Sequence, residues 1–349
     1  MFIFMGTILE SYFGPFRLLT SHLFLLLLGA SGAFFVTWII LPAAYGWLPN
    51  DRGRANTVNG RESRGKPTGA GIVFISVCFI ISACVMPPEP EHYFLICLTW
   101  LSMLTGFLDD NSSKPWGELL KGSLDLFLAI AAALILTWHY VPVIWLPFTV
   151  TVVHLSRFWF CILATAIIWG TINTTNCSDG VDGLSGSLTG IAGSFLVVLL
   201  YVIIGHVEIS QYLRIPYSSN AASWAICLLT FLGGLGGYLW YNAYPSSVLM
   251  GDAGSRALGF LLGVSILKTG NPFILIVTGS LLWLNGGAGL LKLVFLRLFK
   301  IHLFKNIRCP LHDYFRHVKG WSNTQVVIRF ILLQVLLTGV LFIVLLKVR

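Results

Sequence analysis

The sequence predicts an all-α polytopic membrane protein with about ten transmembrane helices. The chain has 349 residues, of which 56% are hydrophobic and only 10% are charged, a composition typical of integral membrane proteins. Long apolar segments recur along it, and a span needs about 20 apolar residues. Because no stretch of about 100 residues is polar enough to form a soluble domain, we predict a single integral membrane domain over residues 1–349.

The predicted spans follow one another along most of the chain. Their approximate bounds are 21–45, 69–87, 92–108, 121–139, 157–175, 184–205, 222–241, 253–268, 271–299 and 325–347. The run 140–156 is also apolar, but two prolines interrupt it, so we expect an interfacial hairpin there rather than a span. An eleventh span at this place would move the C-terminus to the other side of the membrane.

The distribution of Lys and Arg predicts the orientation, since these residues concentrate in cytoplasmic loops. One set of loops carries Arg52, Arg54, Arg61, Arg64, Lys66, Lys114, Lys121, Arg297, Lys300, Lys305, Arg308, Arg316 and Lys319. The opposite side carries only Arg17, Arg157, Arg214, Lys268, Lys347 and Arg349. We therefore place the first set in the cytoplasm and both termini outside. The net charge of +8 is then expected to reflect orientation, and we expect no nucleic-acid partner.

Three acidic clusters flanked by glycines lie at the ends of predicted spans, all on the predicted cytoplasmic side. They are Asp109-Asp110, the segment from Asn176 to Gly183, and the segment from Gly251 to Ser255. Such clusters are unusual in a chain with so few charges, because ionised groups at membrane helices are costly without a partner. They predict one shared site for a metal ion and a phosphorylated substrate.

Asp109 and Asp110 end the third predicted span. Adjacent carboxylates repel each other unless a cation lies nearby, so metal ligation or a catalytic base is the functional interpretation. A solvated helix end is the alternative. Lys114 and Lys121 follow in the same loop and could neutralise a phosphate.

Asp179 and Asp182 lie three residues apart and would share one face of a helix. Gly180 and Gly183 would let the backbone approach a ligand closely, and Asn176 adds an amide. A capped turn without a ligand is the alternative for this segment.

Asp252 begins the eighth predicted span, where an acid can also serve as an ordinary helix cap. Asn242 brings a further amide shortly before it. Oxygen ligands without a Cys or His set suit Mg²⁺ or Mn²⁺, which bind few carboxylates together with substrate phosphates. His312 lies in the last cytoplasmic loop, where a single histidine is more often solvated than catalytic.

At these residues the chain resembles the polyprenyl-phosphate N-acetylhexosamine-1-phosphate transferases, and within them the phospho-N-acetylmuramoyl-pentapeptide transferase branch. The resemblance extends over nearly the whole chain. Its motifs are Pro67-Thr68-Gly69-Ala70-Gly71, Gly106-Phe107-Leu108-Asp109-Asp110, Asn176 to Gly183, Asn242-Ala243-Tyr244-Pro245, Met250-Gly251-Asp252, and a tail from Pro310-Leu311-His312 through Gly320-Trp321 to Phe330.

The resemblance implies ten helices with outward termini, a homodimer in the bacterial cytoplasmic membrane, and a Mg²⁺-dependent active site on the cytoplasmic side. It makes Asp252 the Mg²⁺ ligand, Asp109 the candidate base, and Asp110 a support for metal or phosphate. His312 becomes a further catalytic candidate. The implied substrate-binding residues are Lys66, Thr68, Lys121, Asn176, Asp179, Gly180, Asp182 and Asn242.

The sequence departs from the family pattern at two places. His312-Asp313-Tyr314 stands where the family commonly has three consecutive histidines, so only the first histidine is retained. Leu249 directly precedes Met250 at a place where the family has an aromatic residue, so stacking on uracil would need another ring.

The implied reaction transfers phospho-MurNAc-pentapeptide from UDP-MurNAc-pentapeptide to undecaprenyl phosphate. Its products are lipid I and UMP, and it is the first membrane step of peptidoglycan synthesis. A one-step attack by the lipid phosphate and a two-step route through an Asp nucleophile both remain open. Two other functions are also considered: a sister enzyme that uses UDP-GlcNAc, and an ion-coupled secondary transporter.

Overall fold

A computed structural model describes residues 1–53, 63–139, 141–302 and 307–347. Four of the residues used to predict the orientation lie outside these ranges: Arg54, Arg61, Lys305 and Arg349. The first residue of the predicted hairpin, Tyr140, also lies outside them.

The described part of the chain is mostly helical, as predicted. Its α-helices are α1 Phe2–Leu9, α2 His22–Ala44, α3 Gly71–Val85, α4 Pro90–Asn111, α5 Glu118–Leu136, α6 Arg157–Ser178, α7 Leu184–Val197, α8 Val207–Tyr212, α9 Ser219–Asn242, α10 Gly251–Lys268, α11 Ile274–Thr278, α12 Ser280–Leu282, α13 Ala288–Val294, α14 Leu311–Lys319 and α15 Asn323–Lys347. A π-helical segment, Val198–Ile204, continues α7, and two more, Trp283–Gly287 and Phe295–Phe299, flank α13.

Seven helices of the described chain are long and apolar enough to cross a membrane: α2, α4, α5, α6, α7 with its π continuation, α9 and α15. The other three predicted spans are also helical but differ in character. The first, α3, is apolar but has only 15 residues, and α10 contains three charged residues. The third, 271–299, is divided into short helical pieces from α11 onward. The count of ten spans and the sidedness stay predictions.

The predicted hairpin is present. Strands β1 Ile144–Trp145 and β2 Val152–Val153 pair antiparallel, with Ile144 opposite Val153. The indole Nε1–H of Trp145 donates to the Thr269 carbonyl at 2.7 Å, which fastens the hairpin to the C-terminal end of α10.

Helix α10 lies at the centre of the bundle, in close contact with α3, α4, α6 and α7. Lipid tails are as apolar as the helix side chains, so helices gain little hydrophobic free energy when they pack against each other. Close packing therefore depends on small residues that let the backbones approach. Gly259 and Gly263 of α10 face the backbone of α6, where a Cβ at either position would overlap with residues 168–172. This packing fixes the position of the N-terminus of α10, where Asp252 lies.

Candidate active site

The motif glycines bring three separate chain segments into backbone contact. Gly71 at the start of α3 lies against the backbone of Gly254, and Gly106 of α4 lies against the carbonyl of Asp252. A Cβ at either glycine would overlap with main-chain atoms of α10. Close backbone approach therefore explains these glycines, and it places the ends of α3, α4 and α10 together.

Asp110 holds the first turn of α10 from outside that helix. Its two carboxylate oxygens accept hydrogen bonds from the backbone N–H groups of Asp252 and Ala253, both at 3.1 Å. These N–H groups have no partner inside the helix, and a carboxylate also suits the positive end of the helix dipole. Gly251 has a φ of +67°, and a Cβ at this position would overlap with the Asp110 carboxylate. The structure thus places Asp110 where it fixes the position of Asp252.

Lys121 links the other two carboxylates. Its Nζ contacts Asp109 Oδ2 and donates to Asp252 Oδ2 at 2.9 Å. The second oxygen of Asp109 accepts the backbone N–H of Trp116 at 2.6 Å. The acids predicted from the first and third clusters therefore meet on one lysine, although they are distant in sequence.

An open cleft of about 180 Å³ exposes this cluster. It is lined by Asn50, Asp51, Arg52, Thr68, Asp109, Asp110, Pro115, Gly251 and Asp252. Among the described residues, no three His, Cys, Asp or Glu side chains are arranged to hold a metal by themselves. Mg²⁺ commonly binds through one or two carboxylates and completes its shell with water and phosphate oxygens, so the oxygen donors at this cleft fit that ion.

A second group of contacts surrounds Asp182. Lys66 Nζ lies 3.7 Å from Asp182 Oδ2 and donates to Ser246 Oγ at 3.1 Å. The Ser246 backbone N–H donates to the same carboxylate oxygen at 3.1 Å. Asp182 thereby holds the loop that leads into α10.

Asn242 is buried between protein groups. Its Oδ1 accepts the Gly183 N–H at 2.8 Å, and its Nδ2 donates to the Val248 carbonyl at 2.9 Å. Gly183 adopts a left-handed conformation with φ of +77°, which suits glycine. The amide expected to face a nucleotide is thus used to join the turn before α7 to the loop before α10.

The two groups are joined by backbone hydrogen bonds between the Pro67-Thr68-Gly69-Ala70-Gly71 motif and Leu249, which directly precedes the Met250-Gly251-Asp252 motif. Leu249 donates its N–H to the Pro67 carbonyl at 2.8 Å, and Ala70 donates to the Leu249 carbonyl at 3.1 Å. Lys66 and Thr68 therefore lie on one segment that borders both groups.

His312 is buried against the second acidic segment. A Cβ at Gly180 would overlap with the imidazole Nε2, so the glycine provides the space for this ring. Asn285 Oδ1 accepts the backbone N–H of His312 at 2.9 Å and lies 3.1 Å from its Nδ1. Burial raises the pKa of the nearby Cys309 thiol, which keeps this cysteine protonated near neutral pH.

Asn176 and Asp179 lie at the C-terminal end of α6. The Asp179 backbone N–H donates to the Asn176 carbonyl at 3.1 Å, and both residues are partly exposed. Asp179 directly precedes Gly180, which lies against the imidazole of His312. The predicted site residues thus occupy neighbouring helix ends.

Comparison with known proteins identifies the family of the chain. Residues 92–270 match the glycosyl transferase family 4 profile. The chain belongs to glycosyl transferase family 4. It is 46% identical to the phospho-N-acetylmuramoyl-pentapeptide-transferase of Treponema pallidum (strain Nichols) over 96% of this chain and 94% of that protein. The proteins of the same name from Bartonella quintana and Thermodesulfovibrio yellowstonii are 32% identical over 79% of this chain and 78% of the relative, and 29% identical over 94% and 95%, respectively.

Membership confirms the predicted resemblance and the phosphoglycosyl transferase class, and it favours a multi-pass bacterial membrane protein. The glycosyl transferase family 4 match runs from α4 to the end of α10. It therefore includes the lysine-linked acids and the segment from Asn176 to Gly183. Lys66, Thr68 and His312 lie outside the matched range but contact residues within it or line the same cleft.

Sequence reasoning missed three contributors to this glycosyl transferase family 4 site: Trp116, Ser246 and Asn285. Trp116 acts through its backbone N–H, and Ser246 binds Asp182 through its backbone N–H besides accepting from Lys66 at its hydroxyl. No side-chain pattern can indicate the backbone contacts. Asn285 did carry a signal, because it is an amide directly before Gly286-Gly287 in an apolar run.

Proposed function

We propose that the protein transfers phospho-MurNAc-pentapeptide from UDP-MurNAc-pentapeptide to undecaprenyl phosphate, which yields lipid I and UMP. The observation that carries the proposal is Lys121 between Asp109 and Asp252 at an open cleft. The relatives named phospho-N-acetylmuramoyl-pentapeptide-transferase supply the substrate class. We assign this activity to one domain over residues 1–349.

The location suits one lipid and one polar reactant. Polar loops and helix ends can be hydrated at the membrane surface, whereas the hydrocarbon region requires satisfied backbone groups. Asp109, Lys121 and Asp252 lie at the ends of α4, α5 and α10, respectively. We propose that these ends face the cytoplasm in a bacterial cytoplasmic membrane, that ten spans cross it, and that the enzyme is a homodimer.

The bond changes follow from the reactants. An oxygen of the lipid phosphate forms a bond to the sugar-bearing phosphorus of the diphosphate, and the bond from that phosphorus to the bridging oxygen of UMP breaks. UMP leaves with the electron pair, and any proton on the attacking phosphate passes to Asp109. Both Asp109 oxygens accept contacts from donors, the Lys121 ammonium and the Trp116 backbone N–H, which hold the carboxylate in place at the cleft.

Asp252 is the proposed Mg²⁺ ligand, together with phosphate oxygens of the substrate. Bound Mg²⁺ would offset negative charge on the diphosphate. Asp110 fixes the turn that carries Asp252, and Lys121 presents a positive charge to a phosphate oxygen at the cleft. The ammonium group of Lys121 is at the end of a long side chain, so it can turn from a carboxylate to the substrate while α5 stays in place.

The second group of residues is the proposed nucleotide end of the site. Asn176, Asp179 and Asp182 provide polar side chains there, and Lys66 provides a positive charge near Asp182. Thr68 lines the cleft that contains the acids. Gly180 and His312 shape the side of the site next to Asp179, while Asn242 positions the turn at Gly183.

UMP release tests the proposal. Purified protein is incubated with UDP-MurNAc-pentapeptide and undecaprenyl phosphate, with Mg²⁺ or with EDTA, and UMP and lipid I are quantified. We expect both products in equal amounts, only with Mg²⁺ and only with the lipid present. Turnover of UDP-GlcNAc without turnover of UDP-MurNAc-pentapeptide would assign the sister activity instead. Inversion at phosphorus would support the single step, whereas a trapped phospho-enzyme would contradict it.

A further inference from the structure

One turn away from the Lys121–Asp252 contact, the same two helices carry a second ion pair of reversed polarity. Arg256 of α10 donates to Asp125 Oδ1 of α5, from Nε at 3.0 Å and from Nη2 at 2.5 Å. Both side chains are buried, and Arg256 is completely so. Neither residue takes part in the proposed reaction.

The spacing offers each charge another partner on its own helix. Opposite charges four residues apart on a helix are neighbours and can pair. Lys121 and Asp125 have this spacing on α5, and Asp252 and Arg256 have it on α10. Either pairing within a helix would occupy one member of the Lys121–Asp252 contact.

Long side chains span the distance between these helices. α4 and α6 pack closely against α10, whereas α5 packs chiefly on α6 and α4. The Lys121 and Arg256 side chains therefore make connections that the backbones do not.

A contribution to stability does not explain why Asp125 and Arg256 are buried as an ion pair. Arg256 Nη1 has no hydrogen-bond partner among the described residues, and an unsatisfied buried donor is costly. Buried ion pairs often add no stability over apolar residues of similar size.

We propose that Asp125 and Arg256 are a positioning pair. Each holds the other away from its neighbour on the same helix, so that Lys121 stays on Asp109 and Asp252, the two acids that line the cleft. The inference rests on the proposed function only for the identity of the reaction. The arrangement of charges is independent of it.

The two single substitutions are expected to have different effects. In Asp125→Asn, Arg256 loses its partner and turns to Asp252, where an acid preceding a base by four residues is the favourable order. Its charge then opposes a divalent cation at Asp252. In Arg256→Leu, Asp125 instead attracts Lys121, so the cation site keeps its charge and the reaction loses its lysine.

The test measures Mn²⁺ binding by electron paramagnetic resonance on the full-length protein without substrates, and UMP release in parallel. Asp125→Asn should weaken Mn²⁺ binding about 10- to 100-fold. Arg256→Leu should leave Mn²⁺ affinity unchanged and lower kcat about tenfold. The double variant Asp125→Asn/Arg256→Leu should recover both, because neither competing charge remains.

Two controls separate positioning from folding. Glu91→Gln breaks the Lys268–Glu91 ion pair at the opposite end of α10 and should not change Mn²⁺ affinity. Arg256→Lys keeps the charge and should retain both properties if Arg256→Leu folds poorly. Thermal unfolding of each variant reports its folded fraction.

Parallel losses of Mn²⁺ affinity and rate in both single variants would overturn the proposal, as would a double variant no better than either. Absence of Mn²⁺ binding to the unaltered protein would also overturn it. If the unaltered protein binds Mn²⁺ but releases no UMP, the proposed function fails. The difference in Mn²⁺ binding between the single variants then still decides whether the pair positions Asp252.

Discussion

The two ends of α10 both carry an ion pair beside a cavity, but their charge balance differs. At the Gly251 end, Lys121 contacts two carboxylates, Asp109 and Asp252. At the other end, Lys268 meets one carboxylate, with Nζ donating to Glu91 Oε1 at 2.6 Å, and it lies 5.7 Å from the Trp224 ring centroid. The adjoining cavities have similar volumes, about 180 and 190 Å³.

Cavity size therefore does not distinguish the two ends. A balanced pair beside an aromatic ring satisfies its own charges, since a cation over a ring face gains further attraction. An excess of carboxylates around one lysine leaves negative charge for a ligand to neutralise. This difference supports the proposal that the Gly251 end binds a cation and phosphate, whereas the Lys268–Glu91 pair fastens α4 to α10.

Substitution of the Asp252 carboxylate should have the largest effect. Asp252→Asn keeps the side-chain shape but removes the charge offered to Mg²⁺, so we expect kcat to fall by about 10³-fold. The measurement is UMP release at saturating Mg²⁺, with thermal unfolding as the check on folding. A normal kcat in this variant would show that the carboxylate at the Gly251 end is not needed for turnover, and the two ends of α10 would then not differ in function.

Loss of the shared lysine should have the next largest effect. Lys121→Met removes the positive charge between Asp109 and Asp252 and should lower kcat about 100-fold, because charge-assisted contacts to phosphate are lost. Lys114→Met, in the loop that leads into α5, is the matched control, since Lys114 is exposed. Equal losses in both variants would show that general attraction of anions, rather than the bridging position, accounts for the effect.

Breaking the balanced pair should affect stability instead of turnover. Glu91→Gln removes one charge from a largely buried pair and should cost about 1–3 kcal/mol of folding free energy. We expect a lower midpoint of thermal unfolding and unchanged kcat per folded molecule. A selective loss of turnover at full stability would mean that the Lys268 end also takes part in the reaction.

The predicted helices were recovered well because their signal is local. Segments such as 21–45 and 325–347 are mainly apolar and form α2 and α15. The segment 271–299 is also mainly apolar, but it divides into short helical pieces. Gly286 lies against the α6 backbone at Thr174 within a π-helical turn, an arrangement that a hydropathy pattern does not contain.

Residue types and motifs indicated the candidate residues but not the contacts that these residues make. Asp109 and Asp110 are adjacent and chemically identical in sequence, yet one pairs with Lys121 and the other binds backbone N–H groups of α10. From the sequence, the Asn242 amide is available to a ligand, yet in the structure it is hydrogen-bonded to Gly183 and Val248. Residue type does not predict these partners, because they depend on which helix end lies opposite.

The sequence by itself determined the helical membrane class, the three acidic clusters and the family, because composition and short motifs are local properties. Only the tertiary structure decided which carboxylates share Lys121 and that Gly180 makes room for His312. It alone also paired Asp125 with Arg256 across 131 positions of sequence. Charges act over a few ångströms, so their partners are set by how the helices pack and not by their order along the chain.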